Sequence, residues 1–412
     1  MTRTRTRIIN LCLALSSVLL GIALAEGGAR LALFGSLRTP RFRHQRMLQH
    51  PHPTRGWSLK PNETAFLQCL DYANTVHTNA HGFNDSEHPH AKPPGVFRIV
   101  LLGDSFMFAR EVSREAALPA LLERELADIH GEVINLGVVG YGTVQEYVLL
   151  NEEGFAYEPD LVLLAVFPFN DLQDNCRAWN AAMHSPNLRL TWGRPYASWP
   201  ENGGDMAIIP FDFERVKEDF AAQTRQMERD VAEASWIDAS AMIKLFGQVV
   251  RQWGQRARLQ RFQHDPVLLL APYLAEGHNP HEALWQEAMD ITSRMIAATK
   301  QACDDHGVPF AVFLVPSKVQ ADPRIKEIVR QAHPDLVLDL QRPERVVETL
   351  GHEHGFPVLN LQEALGRATE EHRQQLYFRI EDQHWQAAGH QVAAHAVVEW
   401  LRNHYPDTLK PK

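Results

Sequence analysis

The sequence predicts an α/β fold, a three-layer α/β/α sandwich around a parallel sheet of about five strands. Two observations carry this. Between Phe97 and His404, short runs made almost wholly of Val, Ile, Leu and Phe alternate with segments of helical period, and strands apolar at every position are covered on both faces. Three of these runs end in polar or glycine-rich clusters: Gly103-Asp104-Ser105, Asn135 to Gly142, and Phe169-Asn170-Asp171. Loops at the carboxyl edge of a parallel sheet surround its ligand crevice, so the three clusters share one edge.

In chain order the pattern reads as a strand over Phe97 to Leu102, a helix near Glu115 to Ile129, a strand over Val133 to Leu136, a helix over Val144 to Glu153 and a strand over Leu161 to Phe167. Short strands alternating with helices imply right-handed crossovers. After Asp171 the rhythm breaks. Trp179, Trp192, Trp199, several prolines and Gly203-Gly204 open a loop-rich stretch, followed by helical segments through Phe213 to Trp253 and Glu282 to His306. Residues 172–290 are therefore expected to form a helical insertion. It is either a cap that buries its own tryptophans or a lid whose tryptophans stack on sugar rings. Alternation then resumes with a strand over Pro309 to Val315, a helix over Pro343 to His354, a strand over Val358 to Leu361 and a closing amphipathic helix over Gln386 to His404. The catalytic-type domain is thus placed at 96–406.

Ahead of it, residues 37–95 are rich in Pro, His, Asn and charge and read as a stalk and irregular lead-in. At the front, Arg3, Arg5 and Arg7 precede an uncharged stretch from Ile8 to Ala25. As a helix that stretch would span roughly 27 Å, close to a bilayer's hydrocarbon thickness. The arginines place the N-terminus in the cytoplasm and the rest of the chain on the periplasmic side. Residues 1–36 are accordingly expected to be a single-pass anchor, the chain's contact with the membrane. Cleavage near Ala25, giving a secreted protein, is the alternative.

Composition narrows the partners. The 412 residues hold 45% hydrophobic side chains, enough for a sizeable core, and the net charge is −9 with no basic stripe. Nucleic acid is excluded on that pattern. Of the four cysteines, Cys12 lies in the apolar stretch, leaving Cys69, Cys176 and Cys303 with no pairing rule. Pairs such as His50/His52 and His88/His90 sit among prolines without a ligand cluster, so no metal is expected.

A serine hydroxyl is a poor nucleophile at neutral pH; it needs an imidazole to take its proton and a carboxylate to hold that imidazole in the right tautomer. Ser105 stands at a strand end, and Asp382 lies two residues before His384. Donors for a developing oxyanion are available at the two following strand ends, from the glycine-rich Asn135 to Gly142 and from the Asn170 amide. Asp104 is read as fixing the turn through Asx hydrogen bonding, and Arg110 as a substrate contact or a surface ion pair.

On these motifs the chain resembles the SGNH (GDSL-type) hydrolase family over most of Phe97 to His404, apart from the insertion. Gly103-Asp104-Ser105 looks like the block carrying the nucleophile, Gly140 matches the glycine whose N–H serves the oxyanion hole, Asn170 matches the asparagine of the third block, and His384 the histidine of the last. The resemblance implies a flavodoxin-like sandwich, an oxyanion hole from Ser105, Gly140 and Asn170, and neither metal nor organic cofactor. There are two departures. Pro168 replaces the glycine of Gly-x-Asn-Asp, and the last block reads Asp-x-His, with Glu381 where the family's Asp-x-x-His has its aspartate. Asp382 is taken as the orienting carboxylate, with Glu381 as the alternative. The short Asp-x-His-Trp followed by Gly389 is similar to the membrane-associated or periplasmic branch that includes alginate-type O-acetyltransferases. Thr78-Asn79-Ala80-His81-Gly82-Phe83 and Val315-Pro316-Ser317-Lys318 also look like features of that branch, without an assigned role. The expected function is a serine esterase or deacetylase working through an acyl-enzyme outside the cytoplasm on an acyl ester or acetylated glycan. An O-acetyltransferase acting on a cell-envelope or exported polysaccharide is the first alternative, and a non-catalytic tethered scaffold the second.

Overall fold

The computed structural model describes residues 3–34, 48–68, 71–183, 189–200, 206–233, 266–371, 375–378, 382–406 and 409. Five strands, β1 (Phe97–Leu102), β2 (Gly131–Asn135), β3 (Leu161–Val166), β4 (Phe310–Leu314) and β5 (Val358–Asn360), form one sheet. Every neighbouring pair in it is parallel, and the order is β2-β1-β3-β4-β5. This is the doubly wound 2-1-3-4-5 order, whose crevice opens at the carboxyl ends of β1 and β3.

The strands are apolar throughout because both faces are covered. Val100, Leu102, Ile134, Val162, Leu164, Val166, Val312 and Leu314 project to one side. There they meet Leu149 and Leu150 of α2 (Thr143–Glu152), Leu172 of α3 (Pro168–Asn175), Ala288 and Ile296 of α4 (Glu282–Asp305), and Val347 of α5 (Arg342–His354). The alternate residues Ile99, Leu101, Val133, Leu161, Leu163, Ala165, Ala311 and Phe313 project to the other side. They are covered by Leu118, Leu121 and Leu122 of α1 (Leu118–Glu125), Leu365 of α6 (Gln362–Glu371), and Ala393, Ala394, Val397 and Leu401 of α7 (Ala387–His404). Spacing of three and four residues in α7 makes one apolar stripe, and the period of two in the strands divides each between the layers.

The lead-in is more ordered than its composition predicts. It contains two antiparallel hairpins, Gln49–His52 with Gly56–Leu59 and Thr64–Gln68 with Ala73–His77. Trp57 and Phe83 are fully buried in the core beneath them. The insertion holds short helices at Arg177–Met183 and Arg189–Trp192, a small hairpin (Tyr196–Ser198 with Ala207–Ile209) and a long helix, Phe213–Glu233. Its expected continuation to Trp253 lies outside the described residues. Residues Arg46–Ala222 and His264–Lys412 form one compact unit, which contains the sheet; Met1–Gln45 and Gln223–Gln263 form another.

The N-terminal stretch is helical over Arg3–Phe34, with Leu13, Leu15, Val18, Leu19, Leu20, Ile22 and Leu24 exposed. The expected membrane span is not found: no helix among the described residues is long and apolar enough to cross a membrane.

Candidate active site

β1 runs out at Leu102, and Asp104 caps a one-turn helix, Ser105–Phe108, by accepting the Phe106 N–H at 2.8 Å. The chain leaves that turn through Ala109 in the left-handed region, φ 48°. Ser105 is thereby held on the carboxyl edge of the sheet. Two asparagines clamp the turn from outside. Asn135, closing β2, donates to the Met107 carbonyl at 2.9 Å, and Asn84 donates to the Phe108 carbonyl at 2.7 Å. Asp85 accepts the Asn135 N–H at 2.8 Å. In the lead-in motif just upstream, Asn79 closes its own turn onto the His81 and Phe83 N–H groups.

The histidine arrives on a tight loop. Tyr377 bridges to Trp385, the Phe378 N–H donates to the His384 carbonyl at 3.1 Å, and the Gln386 N–H donates to the Leu376 carbonyl at 2.7 Å. Gly389 permits the return, since a Cβ there would stand 2.6 Å from the Leu376 carbonyl oxygen. Residues of Val315-Pro316-Ser317-Lys318 brace this loop: Tyr377 donates to the Pro316 carbonyl at 2.6 Å, and Lys318 Nζ donates to the Asp382 carbonyl. On the far side the Asp382 N–H donates to Asp71 at 2.8 Å.

These elements bring together the three residues named from the sequence. His384 Nε2 lies 2.7 Å from Ser105 Oγ, and His384 Nδ1 lies 2.6 Å from Asp382 Oδ1. The same carboxylate oxygen accepts the His384 backbone N–H at 2.8 Å, so ring and loop are set by one group. Glu381 lies outside the described residues. Burial pulls the His384 pKa down, but the bond to Asp382 and the charges of Glu111, Asp382 and Asp104 outweigh it, and the net direction is up. Burial pushes Asp382 up, and its bonds to His384 together with the Arg110 charge bring it below the usual carboxylate range.

Glu111 was not legible as part of this group. Its buried carboxylate places Oε1 3.4 Å from His384 Nδ1 and accepts Arg110 Nε at 3.0 Å. In the sequence, Arg110 is read as a substrate contact or a surface ion pair, and Glu111 carries no reading of its own. Glu111, Asp382 and His384 offer ligand-type atoms within 4.8 Å of one another. His384 Nδ1 and Asp382 Oδ1 are hydrogen-bonded to each other, so each already has a partner within the set.

The other strand ends converge on the same edge. Val138 to Tyr141 is a turn closed by the Tyr141 N–H on the Val138 carbonyl at 3.1 Å, with Gly140 at φ +75° in its third position. A type II turn demands a positive φ there, which is why glycine stands there. The Val139 carbonyl accepts Trp57 Nε1 at 3.0 Å, and the Gly140 carbonyl accepts Arg194 Nη2 at 2.9 Å. Pro168 occupies the first turn of α3, where its missing N–H costs nothing. Asn170 then donates to Asp104 Oδ2 at 2.9 Å, which uses one of its two amide hydrogens.

The insertion's tryptophans are largely covered by the protein itself. Trp179 is buried in the core, Trp192 lies under the Arg215 guanidinium at 3.9 Å, and Trp199 lies 5.2 Å from that of Arg294. The cap reading holds for Trp179, which offers no face to a sugar. Cys176 and Cys303 are buried free thiols; Cys69 lies outside the described residues.

Residues 273–412 match the family model "SGNH hydrolase-like domain, acetyltransferase AlgX". The resemblance to the SGNH hydrolase-like family stands. The matched residues include Lys318, Asp382 and His384, while Ser105, Gly140 and Asn170 precede them. No curated protein matches the chain. Among solved structures, an acetyl xylan esterase, AlAXEase, is similar at 10% identity and TM-score 0.39, covering 74% of this chain and 100% of that one. The lipase/acylhydrolase from Enterococcus faecalis is similar at 16% identity and TM-score 0.35, covering 77% and 98%.

Proposed function

We propose that the chain is a serine-dependent acyl ester hydrolase, an esterase or deacetylase, with Ser105 as nucleophile, His384 as base and then acid, and Asp382 as the orienting carboxylate. The observation that carries this reading is the continuous contact from Ser105 Oγ through both ring nitrogens of His384 to Asp382 Oδ1, at 2.7 and 2.6 Å. As Oγ bonds to the ester carbonyl carbon, Nε2 takes the hydroxyl proton and the carbonyl electron pair moves onto oxygen. The Ser105 and Gly140 N–H groups and the second amide hydrogen of Asn170 receive that charge, each such donor lowering the barrier by about 2.7 to 4 kcal/mol. His384 returns the proton to the departing alkoxide, leaving an acyl-serine that water cleaves by the same relay.

A second reading, transfer of the acyl group to a sugar hydroxyl of a cell-envelope or exported polysaccharide, is favoured by the match to an acetyltransferase family. Action outside the cytoplasm belongs to the same proposal and is supported by Arg3, Arg5 and Arg7 ahead of the exposed apolar helix face.

Labelling with a serine-reactive fluorophosphonate tests the chemistry: label on the wild type, lost in Ser105→Ala, is expected. A folded wild type that takes no label would leave the scaffold reading in its place. A chromogenic acetyl ester with and without oligosaccharide separates the two enzymes, since transfer exceeding release to water would make it a transferase. Protease accessibility of the domain in intact spheroplasts tests the location.

A further inference from the structure

Two carboxylates, not one, face the outer nitrogen of His384. Asp382 Oδ1 is hydrogen-bonded to Nδ1 at 2.6 Å, and Glu111 Oε1 stands at ion-pair distance, 3.4 Å, from the same atom. The Glu111 side chain has no exposure, and its Oε2 accepts no hydrogen bond among the described residues. A carboxylate kept out of water with one oxygen unused is costly to stability, so its placement favours something other than the fold. Ala109, two residues before Glu111, stands in the left-handed region at φ 48°.

We propose that Glu111 is a positioning residue of the Ser105 relay, supplying a second negative charge that holds the His384 ring in place and stabilises its imidazolium once the serine proton has moved onto Nε2. This rests on the acyl-enzyme reading above. The charged groups around the pair are known. Asp104 adds a third carboxylate near the ring, and Arg110 is bonded to Glu111 and acts on Asp382. Lys318 and Asp71 hold the backbone of Asp382, and His390 of α7 is kept neutral, its pKa lowered to about 3 by burial and then by the His384 charge. The cations are thus on the carboxylates rather than on the ring, which leaves the imidazolium to Asp382, Glu111 and Asp104. Burial pushes Glu111 up, the His384 and Arg110 charges oppose that, the Asp382 charge adds to it, and the net direction is up.

The test follows the His384 ring by NMR through pH in the full chain labelled with 13C-histidine, comparing wild type, Glu111→Gln and Glu111→Asp. Removing the charge while keeping the shape is expected to lower the His384 titration midpoint by about one pH unit, and the shorter carboxylate to restore most of it. A Gln variant that titrates with the wild type overturns the proposal. Should that variant not fold, the wild type alone decides: in chain labelled with both 13C-histidine and 13C-glutamate, the 13C carboxyl signal of Glu111 must inflect where His384 titrates. A trace flat through that pH overturns the proposal. Fluorophosphonate labelling run in parallel keeps the two readings apart. Labelled protein with an unmoved ring titration rejects Glu111 alone, and a shifted titration in protein that never labels rejects the acyl-enzyme while the charge effect stands.

Discussion

The Asn170 side chain donates to Asp104 at 2.9 Å, tying the residue that caps the Ser105 turn to the start of the helix after the third strand. Burial raises the Asp104 pKa, and the Phe106 N–H and Asn170 amide work against that. The amide proposed as an oxyanion donor and the turn that carries Ser105 are therefore hydrogen-bonded to each other.

Asn170→Ala is expected to lower kcat by roughly 10²–10³-fold, the usual effect of losing an oxyanion donor. It should also cost about 1 to 3 kcal/mol in unfolding free energy, because Asp104 loses a buried partner. Steady-state kinetics with an acetyl ester and urea melts check both. Unchanged kcat with full destabilisation would confine Asn170 to holding the turn.

The pH dependence follows from His384. Its pKa is raised in the folded chain, so the base is protonated, and activity lost, as pH falls through a value above the ordinary histidine 6.5. The charged ring stabilises the fold fully below 6.5, and this contribution disappears as pH rises through the raised folded value. The acid limb of kcat/KM checks the sign: a midpoint below 6.5 would contradict it.

Glu146 of α2 is buried, with both carboxyl oxygens lacking a partner among the described residues. Burial, then the charges of Asp104 and Asp174, lift it well above its ordinary 4.5. A raised carboxyl is neutral in both states at low pH, and stability falls as pH climbs from about 4.5 toward the folded value. Glu146→Gln should flatten the decline in urea midpoint between pH 5 and 8. Asp85, raised to about 8 chiefly by burial, keeps some slope in the variant. Parallel declines in both proteins would show that Glu146 does not titrate in this way.

Lys318→Met removes the tether on the Asp382 carbonyl while keeping the apolar stem. A drop in kcat of about tenfold is expected, which is about 1.4 kcal/mol of barrier, with KM within about twofold. Amide exchange at His384 should quicken. A variant with wild-type kcat and exchange would mean that the Lys318 bond is not needed to hold the loop.

Much of this was legible because burial on two faces leaves few readings of a sequence. The β1 strand was read at its observed bounds, Phe97 to Leu102, since an all-apolar run of that length closed by Gly103 has little else to be. Ser105, Asp382 and His384 were legible from residue types at strand and helix ends, while the bonds that hold the His384 loop against the sheet edge were not. Glu111 was not, because nothing in Arg110-Glu111 announces a carboxylate buried beside the His384 ring. The lead-in hairpins were missed for another reason. Gln49–His52 carries His50, Pro51 and His52 with no alternation, and is held by pairing with Gly56–Leu59 rather than by pattern.

The Trp57 bond to Val139 and the Asn84 bond to Phe108 have a practical consequence for anyone shortening the gene. A fragment begun at Phe97 would keep every strand of the sheet and all three relay residues, yet lose the outside supports of both the glycine turn and the serine turn. Such a truncation should express as a misassembled, inactive product, and the shortest useful one must start ahead of Leu48.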